Sequence, residues 1–265
     1  MRELMVKAFE REHEVDGTAN RFTARREGAG LPGKFIAWQI RSRKDLYEKL
    51  LKHEPVQFLA SHLPVLATLR PQGAVNLATK GVGLVPKRQH IAHYTGLFAR
   101  VLRESRAQPR EETLAARIEA ARELFRHPDH IDGCSLGSLE IFEGETFRNI
   151  RGDPRVALLF TGDGPDYLSF QVEGVARVAG PGDPVYEFLR ASRLLFEHER
   201  FHIAQPAYPH AYQFLVSEVR EKTPHRRSAC PASIHGPRPD AAGWAGGVDA
   251  DAVLVVRKRV TRSCA

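Results

Sequence analysis

The segment His198-Glu199-Arg200-Phe201-His202 matches the H-E-x-x-H pattern. That spacing puts two imidazoles on one helix face, where they can hold one zinc ion with the carboxylate as base. His210, beyond the break at Pro206, could supply a third ligand. A charged arginine sits between the ligands, where metalloprotease helices usually carry uncharged residues. A solvated helix end is therefore the favoured reading, and a zinc hydrolase built on His198, Glu199 and His202 stands as an alternative. The pairs His90/His93 and His127/His130 lack Cys or carboxylate partners at ligand spacing and read as surface or loop histidines, so no metal ligand is assigned. Cys134 precedes a strand with no histidine near it, which suits a small buried residue. No P-loop, Rossmann glycine fingerprint or Gly-x-Ser-x-Gly elbow is present.

Composition narrows the setting. The chain has 265 residues, 42% of them apolar and 27% charged, as in an ordinary globular protein. The net charge is +7, but Lys and Arg are spread along the chain; Arg257-Lys258-Arg259 with Arg262 is the nearest thing to a basic tail. A solvated basic surface is expected, and a nucleic-acid partner is not. Three widely spaced cysteines, Cys134, Cys230 and Cys264, argue against a disulfide framework. With a charged N-terminus and no apolar run of about eighteen residues, the reading is cytoplasmic, without a membrane.

The elements that must position any site alternate between short strands and helices. Residues 1–33 read as a polar arm and Lys34–Ile40 as a strand. Ser42-Arg43-Lys44-Asp45 then reads as a capping box before a helix that Pro55 ends. Val65–Leu69 and Ala74–Val85 suggest a hairpin around Arg70-Pro71-Gln72-Gly73, the second strand broken by Gly81 and Gly83. An extended piece is expected over Gln89–Tyr94. Leu114, Ile118, Ala121 and Phe125 recur at helical spacing over 110–126. Strands follow at Leu136–Phe142, Val156–Thr161, Tyr167–Val178 and Tyr212–Val219. Helices are expected at Glu145–Arg151 and Asp183–Phe201, and a last strand at Ala252–Val256. The class is mainly β with inserted helices (α+β), a barrel of six to eight strands with a helical insertion around 97–128.

Asn149-Ile150-Arg151-Gly152-Asp153-Pro154-Arg155-Val156 and Val172-Glu173-Gly174-Val175-Ala176 carry a resemblance. Residues 135–178 resemble the central segment of pyridoxamine 5′-phosphate oxidase-like, FMN-binding split-barrel proteins, and residues 65–83 are similar to that family's opening strands. The resemblance implies a split β-barrel over 55–220, between an N-terminal arm and helix at 1–54 and a loop-rich extension at 221–265. It also implies a homodimer with FMN at the subunit interface and oxidoreductase activity on a small molecule. FMN needs a phosphate contact and a flat apolar slot. Thr79 and Lys80, with Thr146, Arg148 and Asn149 at a helix start, are the candidates for the phosphate. Lys80 matches the family by position, whereas Glu145-Thr146-Phe147 stands where the family often has Lys or Arg. The C-terminal Trp/Arg signature of the vitamin B6 enzymes is absent. A non-catalytic flavin- or haem-binding sensor or regulator on the same barrel is the alternative of a different class.

Overall fold

A computed structural model describes residues 30–56, 61–162, 167–197, 205 and 207–224. The His198–His202 motif and the expected strand at Ala252–Val256 lie outside the described residues.

Five helices and seven strands are present among the described residues. They run α1 (Gly33–Leu51), β1 (Val65–Leu69), β2 (Val75–Thr79), β3 (Val82–Pro86), α2 (Arg88–Ser105) and α3 (Arg110–Arg126). The chain continues through a 3-10 turn (Pro128–His130), β4 (Ile131–Leu139), α4 (Glu145–Gly152), β5 (Arg155–Thr161), β6 (Ser169–Ala179), α5 (Pro184–Leu195) and β7 (Ala211–Glu221). The strands form one sheet in the order β2-β1-β5-β6-β7-β4-β3, and every pairing is antiparallel. The α+β class and the expected strand number are therefore observed. No helix among the described residues is long and apolar enough to cross a membrane.

Chain length shows why this sheet is a split barrel. Laid flat, seven strands would separate the edge strands β2 and β3 by about 29 Å. Only Lys80 and Gly81 lie between Thr79 and Val82, a reach of about 11 Å. The sheet must roll until its edges meet, leaving a seam between β2 and β3 where no ladder forms. Residues beside the seam tie it: Lys80 N–H donates to Pro64 O at 3.3 Å and Val82 N–H to His62 O at 2.8 Å.

Inside the roll, Leu66, Leu136, Leu158, Phe160, Phe170, Val172 and Phe214 are buried. Helix α1 closes the core: the Phe35 ring meets Phe160 at 5.0 Å and Phe170 at 5.3 Å, both edge-on. The expected strand at Lys34–Ile40 is thus a helix. Phe35, Trp38, Gln39, Leu46 and Tyr47 recur at helical spacing on its buried side, and the supposed capping box lies inside it. The pattern over 34–40 was too short to separate the two periods.

Two further expectations are corrected. Ala74–Val85 is two strands on opposite edges, split at the seam. Gln89–Tyr94 is the start of α2, whose Ile91, Tyr94 and Phe98 are buried at helical spacing. The helical insertion therefore spans 88–126 and forms a hairpin of α2 and α3 between the paired strands β3 and β4.

The Val172-Glu173-Gly174 element marks a bulge. The β6–β7 register slips between Glu173 and Gly174, which pair with Glu218 and Val216, leaving Ser217 unpaired. A Cβ on Gly174 would lie 2.1 Å from the Leu215 carbonyl oxygen, so only glycine fits.

Candidate functional site

The sequence candidates separate into two hydrogen-bonded groups. Lys80 sits in the seam link, and its ammonium reaches both carboxylate oxygens of Glu140, at 2.9 and 2.7 Å. Glu140 follows β4 directly. Its Oε1 accepts the backbone N–H groups of Ile141, Phe142 and Glu143, and its Oε2 accepts the Tyr212 hydroxyl. The Glu140 side chain is 1% exposed and that of Lys80 13%. Burial alone would raise the Glu140 pKa; Lys80, Tyr212 and the backbone donors outweigh it and hold the pKa below the ordinary value. Burial first, and then the adjoining Glu140, push Tyr212 upward, so it stays a hydroxyl donor.

Thr146 and Asn149 belong to the second group. Asn76 Nδ2 donates to Thr68 Oγ1 at 3.2 Å and to Thr146 Oγ1 at 3.3 Å, and Asn149 Nδ2 donates to Thr68 Oγ1 at 3.1 Å. These bonds fasten α4 to the inner sides of β1 and β2. Thr79 is exposed at the end of β2. Arg148 is exposed on α4 and has no side-chain partner among the described residues. Arg70 pairs with Glu145 at the start of the same helix.

Glu140, Tyr212, Thr68 and Asn76 were not singled out from the sequence. For Glu140 a signal existed: a carboxylate inside the apolar run Ser138-Leu139-Glu140-Ile141-Phe142 demands a buried partner. Cys134, expected buried, is half-buried.

The outer face of β2, β1 and β5 differs in character. Val65, Val75, Leu77 and Leu159 point outward and are exposed, Val75 at 57% and Leu77 at 65%. At its centre Ala67 of β1 faces Ala157 of β5 across the ladder. Two short side chains between larger ones sink the surface, and a hollow of about 380 Å³ opens there. Leu69, Val75, Val175, Arg155 and Ser217 border it together with the two alanines. Arg155 is held by a bidentate contact to Asp153.

No family model matches this chain, and no curated protein matches it. Solved structures with similar backbones include a putative pyridoxamine 5′-phosphate oxidase from Lactobacillus delbrueckii, at 16% identity over 72% of this chain and 93% of that one, with a TM-score of 0.35. An F420 reductase matches at 14% identity over 60% of this chain and 90% of its own, with a TM-score of 0.32. A heme-binding protein from Mycobacterium smegmatis matches at 14% identity over 70% of this chain and 53% of its own, with a TM-score of 0.37. Likeness at that level says nothing about what this chain binds or does.

Proposed function

We propose that the chain is an FMN-dependent oxidoreductase acting on a small molecule as a homodimer, with the flavin ring in the hollow over Ala67 and Ala157. The observation that carries this reading is a sunken, mainly apolar hollow, bordered also by Arg155, Glu173 and Ser217, in a sheet face that none of the described residues covers. A flat ring system needs such a floor, and about 380 Å³ lies at the small end of ligand sites. The open side calls for a second wall, which another copy of the same face would supply. Bound there, FMN supplies the hydride or electron transfer. The chain supplies the floor, a dry surround once a partner closes it, and a phosphate contact.

Among the phosphate candidates Arg148 is the most available, because it is exposed and has no side-chain partner among the described residues. Thr79 adds an exposed hydroxyl. Lys80 reaches a phosphate only by giving up Glu140, and Thr146 and Asn149 act by holding α4 in place. Among the described residues no His, Cys, Met or Tyr borders the hollow, so none of them offers haem an axial ligand there. That favours flavin over haem.

Titrating the purified chain with FMN while following its absorbance and fluorescence tests the reading. One flavin per chain is expected. Ala157→Leu fills the hollow on an outward-facing position, so it should weaken FMN at least tenfold and leave the unfolding midpoint nearly unchanged. Wild-type protein that takes up no FMN rejects the reading. Bound flavin that no nicotinamide donor reduces moves the chain to the sensor class.

A further inference from the structure

Three histidines, His90, His127 and His130, meet at the foot of the α2–α3 hairpin. His90 lies in the first turn of α2. His127 follows α3, and Asp129 and His130 lie in the turn behind it. Here the chain leaves the sheet and returns to it: Lys87 N–H donates to His130 O at 2.8 Å, and Pro86 pairs with Ile131. The fold thus joins segments about forty positions apart in sequence. It also supplies a carboxylate that the pairwise reading had passed over, Asp129.

We propose that His127, Asp129 and His130 form a binding site for a borderline divalent transition-metal ion, zinc above all, in the turn that leads from α3 into β4. One ligand atom from each of the three residues lies within 4.8 Å of the others. Ligands about 2.0–2.1 Å from a tetrahedral ion stand roughly 3.3 Å apart, so closing the set takes a shift of about 1.5 Å. The side chains are free to make it, Asp129 being 78% exposed and His127 46%.

The surroundings of each ring match those of ligating histidines. His130 Nδ1 lies 2.8 Å from the hydroxyl of the buried Tyr94, which fixes the ring and turns Nε2 outward. That Nε2 is 3.7 Å from Asp129 Oδ2. A metal on Nε2 leaves the proton on Nδ1, which then donates to the tyrosine oxygen. Glu123 Oε1 stands 3.3 Å from His127 Nε2 and is itself held by Arg126, so it orients the second imidazole. His90 stacks on His130 at 3.7 Å with 13° between the rings and walls off one side.

Two imidazoles and one carboxylate suit zinc, cobalt, nickel or copper and poorly suit magnesium or calcium, which take oxygen. The three protein ligands leave a fourth position for water or a further group.

The test uses the full chain stripped with a chelator and titrated with Co²⁺, then Zn²⁺. One equivalent of cobalt should give visible ligand-field bands that zinc abolishes. Asp129→Ala and His127→Ala, both at exposed positions, should weaken cobalt on the order of tenfold or more. His130→Gln should remove the bands, with circular dichroism of the metal-free variant reporting its fold. A His198→Ala/His202→Ala double variant should keep them. Zinc should also slow amide exchange at 87–91 and 126–131. Bands that persist in Asp129→Ala and His127→Ala, or disappear in the His198/His202 variant, overturn the site, as does wild-type protein with no stoichiometric signal.

Discussion

The seam of the barrel and its outer face share β2 and are opposite in character. At the seam the buried carboxylate of Glu140 is fully answered: it receives an ammonium, a phenol and three backbone donors. On the face, Val75 beside the hollow and Leu77 are exposed among the described residues. Of the two charged phosphate candidates, Lys80 is thus spent on closing the barrel, whereas Arg148 is exposed. The outer face, which none of the described residues covers, is mainly apolar. Charge at a fold junction is therefore weak support for a ligand, whereas an uncovered apolar hollow needs an occupant.

The contrast is broken most severely from the inside. Gly174→Val would drive a side chain into the Leu215 carbonyl at the bulge. The expected loss is about 4 kcal/mol or more, read as little soluble protein or a collapsed urea midpoint. Lys80→Met comes next, because it strands a buried carboxylate. A loss of about 3 kcal/mol is expected, and the Lys80→Met/Glu140→Gln pair should recover much of it. A single variant as stable as wild type would show that the seam does not depend on this pair.

The same ion pair gives a pH dependence. The native Glu140 carboxyl titrates below its unfolded counterpart, so the unfolded chain binds its proton first. Glu140 therefore adds stability above the ordinary glutamate range, near pH 4.3. That contribution is lost as acidification proceeds down to the native pKa. Unfolding midpoints of wild type and Glu140→Gln should converge on going from pH 7 toward pH 3. Parallel curves would remove the carboxylate as the cause.

Much of this architecture was legible in the sequence. Strand patterns at 65–69, 156–161, 167–178 and 212–219 fall on observed strands, and Gly174 was already conspicuous in its motif. The helix over 110–126 declared itself by spacing alone. Lys34–Ile40 did not, since Phe35, Trp38 and Ile40 fit a strand as readily as a helix until Leu46 and Tyr47 extend the period. The break between β2 and β3 was hidden for another reason. Gly81 looks like a flaw within one strand, and only closure of the sheet sends the two halves to opposite edges. The partner of Lys80 was out of reach as well, because Glu140 stands sixty positions away and no local rule joins them. The histidines failed similarly: each pair was visible, but their meeting depends on the hairpin of α2 and α3.

The smallest effect on stability belongs to the outer face, and it separates the two regions most directly. Leu77 is 65% exposed and contributes little to the core. Leu77→Lys should therefore change the free energy of unfolding by no more than about 0.5 kcal/mol. If a second copy covers this face, the same substitution places two like charges in an apolar contact. Sedimentation should then show monomer where the wild type is a dimer, and FMN affinity should fall with it. A variant that keeps both its dimer and its flavin would show that the face is covered by something else, and the hollow over Ala67 and Ala157 would lose its second wall. A variant that loses the dimer but keeps the flavin would place the whole binding site on one subunit, with Arg148 and Thr79 left to hold the phosphate unaided.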